Sequence, residues 1–446
     1  MQDIRKIREL RDKYKEAAKD KNISIDIDKL LELDKQKNKL LNEIEELRAE
    51  RNKNAQEIKR LGGKPPVELI EAGKKIKEQI QKQEEKYKKI EQEFRELMLW
   101  VPNIAKEDTP IGKDDSENIV IRYWSPDDKN GEPKKFDFEI KDHIELAKIN
   151  DLIDFERGVK VSGFRGYFLK NEAVLMHMGL MQYGIKKMIE KGFILLYPPS
   201  LVKEWTLYGS GHFPFGLGDA YEIGNRNETE TGALEEEKTY LSATAEIGIG
   251  GYHAGEVLDE ENLPLKYVGF NPCYRREIGS YGRDTRGIYR IHEFLKIEQF
   301  IICQDDYNIS DKLHEELVSI SEEFLQDLKL PYRIIRQCTG DMGAGKYKMY
   351  DIETWMPGRI GYKGGKGAYG ETHSASNLGD WQARRLNIQY KDKNGNKHFV
   401  HTLNNTMVAS PRILIAIFEN YQNKDRSITV PEVLRNFVGK EIIKRK

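Results

Sequence analysis

Arg275 and Glu277 stand two residues apart in the run LPLKYVGFNPCYRRE, and Arg290, His292, Phe294, Lys296 and Glu298 keep the same spacing in GIYRIHEFLKIEQF. Side chains alternate faces along a strand, so each set shares one face where its run is extended. The two runs read as a hairpin with a long connection, which collects guanidinium and carboxylate groups on one surface. That surface suits a zwitterionic or phosphorylated ligand; ion pairs on an exposed sheet would give the same pattern. Further along, HFVHTLNNT places Asn404 and Thr406 on one strand face, and Arg412 comes just before the apolar run ILIAIFENYQ, which reads as a helix. A cation beside a helix N-terminus is unfavourable, because the macrodipole is already positive there. An anion between them resolves the conflict, and backbone amides together with Arg412 suit a triphosphate. An arginine that points to solvent is the plainer alternative.

Two other signals carry less. Gly340 to Lys346 reads GDMGAGK, a near match to the phosphate-cradling loop, but Tyr347 stands where Ser or Thr should hold magnesium. The run also precedes an apparent strand, KMYDIETW, whereas the motif requires a strand before it and a helix after it. His292, His373, His398 and His401 are dispersed, with no HxxxH pair to suggest metal ligands. Cys273, Cys303 and Cys338 form no CxxC pair and read as reduced thiols.

The elements that position these residues begin near residue 100. From about 172 to 191 the chain reads as a helix, FILLYPP (193–199) as a strand ended by proline, and the alternating runs after 265 as an antiparallel sheet rather than βαβ units. Residues 26 to 98 differ: aromatic side chains are scarce and Lys and Glu dense. Leu33, Leu40, Ile44, Leu47, Asn54, Ile58 and Leu61 recur at steps of seven, four and three, and Ile76, Ile80, Tyr87, Ile90, Phe94 and Leu97 do the same after a turn at Gly62, Gly63, Lys64, Pro65 and Pro66. The spacing predicts an antiparallel coiled coil whose helices reach roughly 50 Å. With 18 basic and 17 acidic residues in 26–98, charge alone does not separate an RNA-binding arm from a solvated structural hairpin. VPNIAKEDTPIGKDDSEN reads as the linker that follows.

The whole chain, 446 residues with 73 basic and 74 acidic side chains, has room for two or three domains and is not a general polycation. No stretch of about 18 apolar residues occurs and the start has no apolar signal region, so a cytoplasmic protein is expected.

The run CYRREIGSYGRDTRGIYRIHEFLKIEQF resembles motif 2 of the class II aminoacyl-tRNA synthetases, and its RDTRG loop is similar to that of the seryl-tRNA synthetases. TAE at 244–246, ETHSASNLGDWQARRLNIQY at 371–390, HTLNNTMVASPRILIAIFENYQ at 401–422, ITVPEVLRNF, GVKVSGFRGYFL and the coiled-coil arm resemble that family in order and spacing. The resemblance implies an α+β chain: an N-terminal tRNA-binding domain with a coiled-coil hairpin (1–105) and a class II catalytic domain (106–446), an antiparallel sheet of about six or seven strands flanked by helices. It implies a homodimer formed partly through the helix and strand that end at Pro199, use of ATP with Mg2+, and an arm that reaches the long variable arm of tRNA(Ser). The second subunit would hold most of that tRNA.

By the same resemblance Arg275, Glu371 and Arg412 carry the chemistry. Arg275 meets the α-phosphate and Arg412 the γ-phosphate; Glu371 and Ser374 handle magnesium; Arg276, Glu277, Thr372 and His373 complete the ATP site. Thr244, Glu246, Arg290, Glu298, Asn404 and Thr406 form the serine pocket. The chain departs from the commonest family pattern at Thr406, where many relatives have Ser, at Pro411, where many have Gly, and at His373, which replaces a small polar residue. The implied activity is joining serine to tRNA(Ser), with the tRNA for selenocysteine left open as a further acceptor. The alternatives are a synthetase-like ligase that loads a carrier protein and a coiled-coil scaffold bearing a catalytically silent synthetase fold.

Overall fold

A computed structural model describes residues 2–63, 65–224, 237–278, 286–361 and 364–444. Most of the RDTRG loop and Lys64 of the arm turn lie outside the described residues. The chain divides into two compact units, Met1–Ile104 and Ala105–Lys446.

In the first unit, α1 (Ile27–Leu61) and α2 (Val67–Trp100) pair lengthwise. The Asp26 carboxylate caps α1 by accepting from the Lys29 backbone N–H at 2.9 Å, and Gly62 ends it with a positive φ of 50°. Leu33, Leu40 and Ile44 of α1 and Ile76, Ile80 and Phe94 of α2 are buried as the seam requires, whereas Tyr87, Ile90 and Leu97 are half-buried and Met98, not Leu97, is the buried residue at the end of α2. Across it Arg48 meets Glu84 at 2.7 Å and Gln83 donates to Glu43 at 2.8 Å. The seam thins toward the turn, where no described residue from 45 to 75 is buried and Leu61 is 54% exposed. There Asn54 donates to the Leu69 carbonyl at 3.2 Å, a polar contact in place of an apolar one.

The second unit is built on β1 (Ile119–Trp124), β2 (Ile194–Leu196), β3 (Leu265–Tyr274), β4 (Glu293–Cys303), β5 (Tyr332–Arg336), β6 (Lys348–Ile360), β7 (Lys366–Gly379) and β8 (His401–Ala409). These form one eight-stranded sheet in the order β1-β5-β6-β7-β8-β4-β3-β2, antiparallel except for the pairing of β2 with β3. The sheet thus exceeds the six or seven antiparallel strands expected, by a short parallel edge strand. Helices α3 (Glu172–Glu190), α4 (Ala245–Tyr252), α5 (Tyr307–Asp327), α6 (Trp381–Leu386) and α7 (Ser410–Asn420) pack around it.

Period-two alternation divides the central strands. Ile297 and Ile301 of β4, Leu403 of β8 and Ala375 of β7 enter the main core with Leu317 and Phe324 of α5, while Lys296, Glu298, Asn404, Thr406, Ser374 and Ser376 line the opposite side. Among the bulges that interrupt the alternation, two lie beside the cavity residues. Against β6, Ile352 pairs His373 and Glu353 pairs Glu371, which leaves Thr372 as the extra residue of β7. Against β4, Ile297 pairs Val408 and Glu298 pairs Thr406, which leaves Met407 extra in β8. Each bulge changes which side the following residues face. At Gly269 of β3 a Cβ would stand 2.5 Å from Ile249 and 2.8 Å from Ala245, so glycine is what lets α4 lie against the strand.

Candidate active site

Arg275, Glu277, Arg290, Thr244, Glu246, Glu298, Glu371, Thr372, Ser374, Asn404, Thr406 and Arg412 all line one cavity of about 200 Å³. Their positions along the chain span most of the second unit, so the sheet is what brings them together. Arg275 does not lie within β3, which ends at Tyr274, but its N–H still donates to the His292 carbonyl at 2.9 Å and continues the hairpin by one residue. Glu277 does not share a strand face with it: Glu277 has φ 54° and reaches the cavity by a turn of the backbone. There Arg290 donates to its carboxylate at 3.3 Å, and Arg165 lies 3.7 Å away.

Arg412 sits in the first turn of α7, where its charge opposes the helix dipole. The anion that resolves this is Glu371, whose carboxylate lies 3.2 Å from the guanidinium and whose backbone carbonyl accepts a hydrogen bond from it at 2.9 Å. Burial alone would depress the Arg412 pKa, but Glu371 overcomes it and holds the value above the ordinary one. Burial likewise would raise Glu371, and Arg412, Arg275 and Arg290 together pull it below the usual carboxylate range. The Tyr289 ring lies under both Arg412 and Arg359, at 4.5 and 3.8 Å from the guanidinium carbons.

A second cluster surrounds Glu246, the second residue of α4. The Thr244 hydroxyl caps this helix, accepting from the Glu246 N–H at 3.4 Å. The Glu246 carboxylate accepts from Asn404 at 2.9 Å and from Gln382 at 2.5 Å; Gln382 in turn donates to the Ser210 carbonyl and accepts from Thr402. Burial works against its ionisation, but Lys346 and His212 outweigh it, so Glu246 stays below its ordinary pKa. Glu298, paired with Lys296 and accepting from Thr406 at 3.4 Å, goes the other way: burial raises it and nearby Glu246 adds to the rise. Arg275 stabilises the charged form of both Glu371 and Glu298, which sets it between the two clusters.

Two residues expected in the ATP site do not line this cavity. His373 is 1% exposed, on the core side of β7 with its ring edge toward Phe324, because the bulge at Thr372 turns it away while restoring Ser374 to the cavity. Burial depresses its pKa to about 4, so the ring is neutral. Arg276 leans the other way from Arg275 and donates to the Gly218 carbonyl at 3.2 Å. Thr372 lines the cavity, with its hydroxyl 2.7 Å from that of Thr354.

A model of the class II tRNA synthetase core domain (G, H, P, S and T) matches residues 229–421, and a model of the seryl-tRNA synthetase N-terminal domain matches residues 1–105. The chain is 42% identical over 440 residues to the serine–tRNA ligase of Treponema denticola, covering 98% of this chain and 99% of that protein. It is 43% identical to that of Dictyoglomus thermophilum, covering all of both chains. The crystal structure of seryl-tRNA synthetase from Pyrococcus horikoshii complexed with ATP superposes over the full length of both chains with a TM-score of 0.86 at 36% identity. The chain belongs to the seryl-tRNA synthetase family.

As a member of the seryl-tRNA synthetases it is a class II aminoacyl-tRNA synthetase, a ligase of translation, with a long helical hairpin at its N-terminus. The match over the arm and the full-length identity go against a carrier-protein ligase, and the intact charged cavity goes against a silent scaffold. Several cavity residues escaped the sequence reading. Lys346 comes from the GDMGAGK run, which is a loop before β6 and not a phosphate cradle, yet its lysine faces Glu246. His212 had no motif to mark it, Tyr289 lay inside the motif 2 run without a role assigned to it, and Lys296 was visible only as a member of the alternating run.

Proposed function

We propose that this chain activates serine with ATP as seryl-adenylate and transfers the seryl group to the 3′ end of tRNA(Ser). The observation that carries the reading is the convergence of Arg275, Glu371 and Arg412 with Glu246, Glu298, Asn404 and Thr406 on one cavity. The P. horikoshii relative was crystallised with ATP, which supports the nucleotide assignment.

Glu246 and Glu298 offer carboxylates to the substrate ammonium and hydroxyl, and Thr406 and Asn404 offer neutral partners. The serine carboxylate is ionised at neutral pH, so its oxygen can attack the α-phosphorus as the bond to pyrophosphate breaks, without a general base. Arg275 neutralises charge that grows on the equatorial oxygens, and Arg412 holds the distal phosphate. In the second step a terminal ribose hydroxyl of the tRNA attacks the acyl carbon, AMP leaves, and its phosphate oxygen takes the proton. Glu371 and Ser374 supply hard oxygen donors on the cavity wall, a set that fits Mg2+, an ion that takes few protein ligands and fills its sphere with phosphate and water. Mg2+ bound there would add positive charge beside the triphosphate. A pocket that hydrogen-bonds the serine hydroxyl disfavours alanine, whose methyl leaves Glu298 and Thr406 unpaired.

For the arm, residues 48–82 around the turn carry ten basic against five acidic side chains, whereas the rest of 26–98 carries eight against twelve. This segregation, hidden in the near-neutral total, favours the turn-proximal half as the part that meets tRNA phosphates. A homodimer is supported by exposed apolar side chains on α3 (Val174, Leu175 and Met178) and on the edge strand β2 (Ile194 and Leu195), surface that a second copy would cover. Among the described residues no helix is long and apolar enough to cross a membrane, and the cytoplasm is the proposed site of action.

Pyrophosphate exchange tests the reading. With ATP and Mg2+ the purified protein should exchange pyrophosphate in the presence of serine far better than with alanine, threonine or glycine. Equal exchange with glycine, or none with serine, overturns it.

A further inference from the structure

Strands β7 and β8 pair from Gly379 with Thr402, through Asn377 with Leu403 and Ser376 with Asn404, to Ala375 with Asn405, and at that end the ladder stops. Beyond Ala375 and Asn405 each strand carries its own bulge, at Thr372 and Met407, and beyond the bulges come the residues that face the nucleotide, Glu371 on one strand and Arg412 on the helix that follows the other. One side chain spans the gap where the rungs are missing. The His373 Nε2 lies 3.0 Å from the Met407 carbonyl, and its Nδ1 lies 2.9 Å from the Thr372 hydroxyl, which is 2.7 Å from the Thr354 hydroxyl on β6. A carbonyl can only accept, so Nε2 carries the proton and the bare Nδ1 faces the Thr372 hydroxyl, whose single proton is shared between it and the Ile352 carbonyl of β6 at 3.2 Å. The result is one continuous hydrogen-bonded connection from β6 through the bulge of β7 to the bulge of β8. Met407 has no ladder partner among the described pairings, and a buried carbonyl left unsatisfied costs free energy, so the imidazole N–H replaces a missing rung.

We propose that His373 is a positioning residue for the reaction: it ties the two bulges together and so fixes Glu371 and Ser374 relative to Thr406 and Arg412. It does not itself line the cavity. The proposal rests on the reading of the cavity as the ATP and serine site, and it deepens that reading by naming what holds the two walls in register.

The test compares H373Q, H373N and H373F in the full-length protein. A glutamine amide nitrogen can stand where Nε2 stands and donate to the Met407 carbonyl; asparagine is too short to reach it, and phenylalanine keeps the packing against Phe324 while losing both hydrogen bonds. The expected result is that H373F and H373N lose about 10–100-fold in kcat/KM for ATP in serine-dependent exchange. Their KM for serine should change little, and H373Q should recover to within a few-fold of the parent. Calorimetric binding of ATP in the absence of serine should weaken in the same order. If H373F does not fold, the Gln and Asn variants decide the matter. Parent-like ATP kinetics in H373F, or equal losses in H373Q and H373N, overturn the proposal; absence of exchange in the parent overturns the site reading instead.

Discussion

The arm and the cavity solve opposite problems. Along α1 and α2 the buried apolar residues repeat a local spacing and their neighbours in space are predictable from their place in the heptad, the buried Asp34, paired with Arg8 at 2.6 Å, being the polar exception. In the cavity the central groups depend on partners more than thirty residues away: Arg412 on Glu371, Glu246 on Asn404 and Gln382, Glu371 on Arg275. Loss of one group in the arm removes a fraction of a seam, whereas loss of one in the cavity leaves a buried charge without its counterpart. Function and stability should therefore separate by region when each is perturbed.

The largest effect is expected at Arg412. R412A should lower serine-dependent pyrophosphate exchange by about 10³-fold, since the guanidinium is both the cavity's distal cation and the partner of Glu371. The melting of the arm should not move. A loss below about tenfold would mean that Arg412 serves the fold more than the chemistry.

The arm itself supplies the next contrast. I80A, which empties a buried seam position, should destabilise the N-terminal unit by about 2 kcal/mol. L61A, at a residue 54% exposed, should cost no more than about 0.5 kcal/mol. Denaturation followed by helical ellipticity separates the two, and both variants should retain parent exchange rates. Equal costs would mean that the seam is as tight at the turn as at mid-arm.

The smallest effect concerns pH. Hydrogen bonds from Arg11 and Lys15 hold the Asp28 carboxyl at about 2, below its ordinary 3.8. A carboxylate whose folded pKa is depressed adds stability above the unfolded value and loses it as pH falls through the folded one. D28N should therefore melt slightly below the parent at pH 7 and salt should shrink the gap, because the pair is exposed. The gap should close between about pH 4 and 2. A difference that persists at pH 2 would point to the geometry of the helix start instead of charge.

The same contrast explains what could be read in advance. Most seam positions were legible from their period and the turn from its Gly and Pro residues, local signals both, and Arg275 and Arg412 were legible because of their types and settings. Parity failed wherever the backbone left the ideal strand. Thr372 and Met407 each insert a residue, so a count by twos places His373 with Glu371 and misplaces Ser374, and no local composition marks either bulge. Glu277 reached its expected cavity by a left-handed backbone instead of a strand face. Lys346 was set aside with a motif that failed, although the lysine itself was correctly placed to meet Glu246. The number of strands depended on a short parallel edge, β2, whose pairing with β3 is set by tertiary contacts.

Calorimetric titration with a non-hydrolysable seryl-adenylate analogue is the most direct measure of whether one cavity grips both halves of the intermediate. One analogue should bind per chain, far more tightly than ATP or serine alone, and binding should be severely weakened by R412A at one end and by replacement of Glu246 with alanine at the other. Binding that is lost in only one of these variants, or no tighter than that of ATP, would contradict a shared site.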